Sequence, residues 1–85
     1  MDLIDKYLGE SKNVDLRKNY DEVVKINSKT EKSKGTLYRK GNIVQMWWDT
    51  DVLGRKQKNG KETWVAPSSK EAKENFKDMK IRFNE

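Results

Sequence analysis

Two tryptophans stand side by side at positions 47 and 48, inside the segment Ile43-Val44-Gln45-Met46-Trp47-Trp48. β-Branched and aromatic residues dominate this segment, so it reads as a strand. Adjacent side chains in a strand point to opposite faces of the sheet. One tryptophan therefore faces each side, and no single-sided core can bury both. A chain of 85 residues has room for one domain. It must cover both faces or leave an aromatic face to a partner.

The neighbouring segments extend the sheet. Thr36–Lys40 and Ile43–Asp49 flank Gly41-Asn42, while Arg55–Lys58 and Lys61–Ala66 flank Asn59-Gly60, a strong hairpin signal. Two tight turns in succession predict a three-stranded antiparallel meander over residues 35–66. Asp49-Thr50-Asp51 and Gly54 would bend its long middle strand. Pro67 stops the third strand. Ser68-Ser69-Lys70-Glu71 then forms a capping box. Ala72, Phe76, Met79 and Phe83 follow at helical spacing, predicting an amphipathic helix over 68–83.

Upstream, Leu3, Ile4, Tyr7 and Leu8 fit one face of a short helix ended by Gly9. Leu16, Tyr20, Val23, Val24 and Asn27 favour a second helix, capped by Asn13 or Asp15. The competing assignment is a strand at Glu22–Ser28, because Val23, Val24 and Ile26 are β-branched. Residues 28–34 are polar and read as a loop. The expected fold class is α+β. It is a single small domain with a helical region over 1–27, a polar loop, the meander (four strands if Glu22–Ser28 is extended) and the C-terminal helix.

Composition bears on whether such a chain folds. Only 33% of residues are hydrophobic and 39% are charged, which leans toward disorder. Against this stand eight aromatics, three of them Trp. Burying one Trp is worth roughly 4–6 kcal/mol at ~25 cal/mol per Å². Three, with the aliphatic residues, suffice for a small core.

Tight turns fix register, and register fixes faces. One face should carry Leu37, Val44, Met46, Trp48, Val52 and Val65 and meet the C-terminal helix. The other should carry Tyr38, Ile43, Trp47, Leu53 and Trp64 among Lys40, Gln45, Arg55 and Glu62, with Trp64 beside Arg55. Either the N-terminal helix covers this second face, or it is a binding face: aromatics interleaved with cations are what sheets use to stack bases.

The formal net charge is +5 and unevenly spread. Residues 1–24 carry four cations and six acids, residues 25–45 six cations and one acid, and residues 55–66 four cations and one acid. The basic field belongs to the loop and the sheet, where it suits a polyanion. It also suits the simpler role of a soluble, edge-protecting surface. Arg55, Lys56, Lys58 and Lys61 would form a basic hairpin tip able to meet phosphates.

The chain has no His and no Cys. Zinc centres built on those residues, disulfides, thiol catalysis and Ser-His-Asp chemistry are excluded. Asp49-Thr50-Asp51 is a weak match to a Mg²⁺-holding pair, and no Gly-rich phosphate loop occurs. An enzyme is not expected, nor a cofactor or metal. The start Met1-Asp2-Leu3-Ile4-Asp5 lacks the basic and apolar regions of a secretory signal, so a cytoplasmic protein or a virion component is expected.

The function these features favour is a small basic accessory protein that binds nucleic acid non-specifically. Tyr38, Trp47 and Trp64 would stack on bases, and Arg39, Lys40, Arg55, Lys56, Lys58 and Lys61 would meet phosphates. The alternative is a protein–protein interaction module, such as a phage-encoded modulator of a host protein or a minor virion component. There the aromatic face would be an interface hot spot. A homodimer using that face is a third reading.

Overall fold

A computed structural model of the chain describes residues 14–85. The elements in order are β1 (Glu22–Asn27), β2 (Lys34–Lys40), β3 (Ile43–Thr50), β4 (Lys56–Val65) and the helix α1 (Ser69–Phe83). The four strands form one antiparallel sheet in the order β1-β2-β3-β4. This is the α+β arrangement expected, with four strands in the meander. The helix expected over Leu3–Leu8 lies outside the described residues.

The second N-terminal helix is corrected. Residues 14–20 hold no helix, with turns and bends over 16–19, and 22–27 are a strand. Period two wins over period 3.6 here because Val24 and Ile26 both reach the core, Ile26 being fully buried. Their β-branched side chains also resist the helical conformation. β1 pairs with β2 in the register Val24↔Leu37 and Ile26↔Gly35.

Between β2 and β3 the turn falls on Gly41-Asn42 as expected, with Gly41 left-handed (φ 57°). The hairpin expected at Asn59-Gly60 is also corrected, because β4 runs unbroken from Lys56 to Val65. The β3–β4 turn sits instead at 51–55, around Gly54 (φ 83°). Asp51 holds it: Oδ1 accepts the N–H groups of Leu53 and Arg55, both at 2.9 Å, and Oδ2 accepts Arg55 Nε at 2.8 Å. Gly60 serves close packing across strands. A Cβ there would lie 2.8 Å from Trp48 Cβ. The register does shift between Trp48 and Thr50, as the expected bend implied.

α1 begins as the capping box predicts, with Ser68 Oγ accepting the Glu71 N–H at 3.2 Å. Ala72 and Phe76 are buried against Ile26, Leu37, Val44 and Met46, with Val24, Trp48, Trp64, Met79 and Phe83 packed around them. The helix ends over β1, where Asn84 Oδ1 accepts the Asn27 N–H at 2.8 Å. No helix among the described residues is long and apolar enough to cross a membrane.

Candidate nucleic-acid interface

The two adjacent tryptophans do separate. Trp48 faces α1, edge-on to Phe83 with ring centroids 5.3 Å apart. Trp47 occupies the far face, opposite Thr36 on β2 and Lys61 on β4. Tyr38 shares that face. Trp64 does not: it pairs with Val44, joins the helix-side core and lies 6.4 Å from Phe83. The expected trio Tyr38–Trp47–Trp64 is thus split, because the β3–β4 register is set by the turn at 51–55. The same change puts Val65 opposite Ile43 and leaves Val52 and Leu53 exposed in the turn.

The centre of the far face is covered by residues 14–19, a short strap without helix. Gln45 anchors it from inside the sheet. Its Oε1 accepts the Leu16 N–H at 2.9 Å and the Trp47 Nε1–H at 2.7 Å. Its Nε2 donates to the Val14 carbonyl at 2.8 Å and to Thr63 Oγ1 at 3.0 Å. Gln45 and Leu16 are both buried. The Arg17 guanidinium then lies 3.6 Å from the centre of the Trp47 ring. Asp15 fixes it with two bonds, from Nε at 3.0 Å and Nη2 at 2.8 Å. That pairing holds the Asp15 carboxyl down at about 2. Tyr38 has its own partner in Tyr20, with centroids 5.3 Å apart. The far-face aromatics are therefore already stacked on other residues of the chain, and among the described residues the cover of this face is the strap. Sequence reasoning missed Arg17 and, although it placed Gln45 on this face, the anchoring role of Gln45. A lone amide between Val44 and Met46 was the available signal, since a buried polar group must find partners.

The expected cations differ in exposure and in their partners. Arg39 is only 5% exposed and is bound by Glu22, by Asp21 at 3.6 Å and by the Gly41 carbonyl at 2.9 Å. Lys40 pairs with Asp21 at 3.7 Å, and the Gly41 N–H on that carboxylate holds its pKa low. Arg55 is exposed but paired to Asp51, whose carboxyl is lowered chiefly by the Arg55 N–H. Asp51 is thereby committed to the turn. Lys56, Lys58 and Lys61 are exposed on β4, an edge strand among the described residues, and Lys61 Nζ lies 5.7 Å from the Trp47 ring.

A second feature was not anticipated. The β1–β2 loop, the β3–β4 turn and the end of α1 meet at one end of the domain. Thr50 Oγ1 donates to the Lys32 carbonyl at 2.8 Å, and Lys32 N–H to Val52 O at 3.2 Å. Thr30 Oγ1 and Ser28 Oγ donate to the Glu85 carbonyl at 2.9 and 2.8 Å. Between them opens a cleft of ≈ 780 Å³, lined by Trp48 and Phe83 together with Arg55, Lys61 and Arg82. Compared with known proteins, the chain matches no family model, no curated protein and no solved structure.

Proposed function

We propose that the protein binds nucleic acid, chiefly by charge, through the end of the domain where the β1–β2 loop, the β3–β4 turn and the end of α1 meet. One observation carries this reading. The loop and the start of β2 bring Lys29, Lys32 and Lys34, the turn and β4 bring Arg55, Lys56 and Lys58, and the helix brings Lys80 and Arg82. These eight exposed cations, with Lys61, face five acids there, Glu31, Asp49, Asp51, Glu62 and Glu85. Lys56 and Lys58 form no ion pair among the described residues. Such an end attracts phosphates without reading sequence. The role is binding, with no catalytic step.

Gel-shift titration of single-stranded and duplex probes at several salt concentrations tests the proposal. Four phosphate contacts predict a slope of log affinity against log salt of about −3 to −4. Lys56→Glu with Lys58→Glu should weaken binding and flatten that slope. Lys25→Glu, on the far face, should change little. Equal loss from both variants would move the site to the far face, and unchanged binding in the β4 variant would remove the basic end from it. A protein–protein role is favoured by Val52 and Leu53, 55% and 62% exposed at the tip of the same turn. It predicts a shallow salt slope and sensitivity to Leu53→Ser.

A further inference from the structure

The cleft at the basic end does not share the charge of its surroundings. Four carboxylates line it, Glu31, Asp51, Glu62 and Glu85, against the three cations Arg55, Lys61 and Arg82. Its lining is close to balanced in charge, while the lysines outside it are in excess and attract phosphates. Two aromatic residues, Trp48 and Phe83, are part of its lining. Trp48 is braced edge-on by Phe83 at 5.3 Å, and its Nε1–H donates to Glu62 Oε2 at 3.0 Å. This bond fixes a carboxylate at the rim of the ring and leaves its other oxygen able to accept. The volume of ≈ 780 Å³ falls within the ~300–1,000 Å³ of small-molecule sites.

We infer that the cleft receives one unpaired nucleobase, stacked on Trp48 with its amino group donating to Glu62, while the flanking phosphates lie on the lysines outside. The inference rests on the nucleic-acid reading above and specifies which part of the nucleic acid is recognised. Stacking on an aromatic side chain is open to any base. A carboxylate acceptor selects further. It pairs with an exocyclic amino group, as a Glu does with cytosine N4, and is repelled by the O4 oxygen that thymine and uracil present. A base held in a duplex is stacked and paired, so the cleft favours single strands.

The test uses the full chain labelled with ¹⁵N, with the Trp48 indole signal assigned from Trp48→Phe. Short oligo(dC), oligo(dT), a duplex of the same length and cytidine monophosphate are titrated in turn at low salt. Oligo(dC) should bind about tenfold more tightly than oligo(dT), the scale of one good base contact, and should move the Trp48 indole signal. Glu62→Gln, an exposed substitution that keeps an acceptor for the indole, should remove the preference for oligo(dC). If cytidine monophosphate alone moves the signal, the ligand is a free nucleotide. If only the oligonucleotide does, it is a strand. Either result supports the base site. Equal binding of both oligonucleotides and the duplex, with the indole signal unmoved, would overturn the base site and leave the phosphate-binding end standing. No binding by any probe would overturn both.

Discussion

The backbone N–H of Leu16 donates to the side-chain oxygen of Gln45 at 2.9 Å, across 29 residues of sequence. Through this bond and that from Gln45 Nε2 to Val14 O, a strand amide does what a fifth strand would do: it satisfies the backbone of the strap. Gln45→Leu would leave the Leu16 N–H and the Trp47 indole N–H without their acceptor. A loss of at least about 1–3 kcal/mol is expected in urea unfolding, with faster proteolysis within residues 14–19. A variant as stable as the parent would mean that the strap is held by Leu16 packing alone.

Two glycines test where the β3–β4 turn lies. Gly54 has φ 83°, so Gly54→Ala should cost about 1–2 kcal/mol for the left-handed conformation. Gly60→Ala brings a methyl group against Trp48 Cβ, 2.8 Å away, and should cost about 1–3 kcal/mol by overpacking. If the turn were at Asn59-Gly60 instead, Gly54→Ala would be close to neutral in thermal melts.

The C-terminal helix provides two further measurements. Ser68→Ala removes the acceptor for the Glu71 N–H and should cost about 0.5–2 kcal/mol. Phe76→Ala empties the centre of the helix–sheet core and should cost about 3–5 kcal/mol. Equal effects from these two substitutions would contradict the packing described.

Acid should destabilise the fold in a defined window. Asp15, Asp21 and Asp51 all have carboxyls lowered from their ordinary 3.8, through Arg17, the Gly41 N–H and the Arg55 N–H respectively. The folded state therefore binds protons less tightly than the unfolded chain. Their contribution is present above about pH 4 and is lost as pH falls through the folded values. Melting temperature should drop between about pH 5 and about pH 2. Asp51→Asn should flatten that drop while lowering stability at neutral pH.

The C-terminal helix, the Gly41-Asn42 turn and the opposed tryptophans were legible because each rests on local chemistry. A capping hydroxyl, a left-handed glycine and the strand period act within a few residues. Helical spacing at Leu16–Asn27 misled because the same residues satisfy a strand once β2 supplies Leu37 opposite Val24. Asn59-Gly60 misled because glycine serves two purposes that sequence cannot separate, a left-handed turn and a close approach between strands. That one shift moved Trp64 to the helix side and dissolved the trio of stacking residues. The β4 lysines kept their exposure, since charge on an edge strand stays in water whichever turn precedes it. The cleft was invisible in sequence because its walls come from segments up to 57 residues apart.

Strand order follows chain order from β1 to β4, so each strand finds its partner in the segment just made. The connections are short: Gly41-Asn42, the loop over 28–33 and the turn over 51–55. Chain closure then costs little entropy at each step, since the penalty grows only as the logarithm of loop length. The sheet can grow by adding one strand at a time to a hairpin begun at Gly41-Asn42. The pairings of largest sequence separation, Ser28 and Asn27 with the end of α1, should close last. Refolding should be fast for a sheet protein, without the delay that distant strand pairing imposes. Substitutions at Gly41-Asn42 should slow folding, while those where α1 docks on β1 should chiefly speed unfolding.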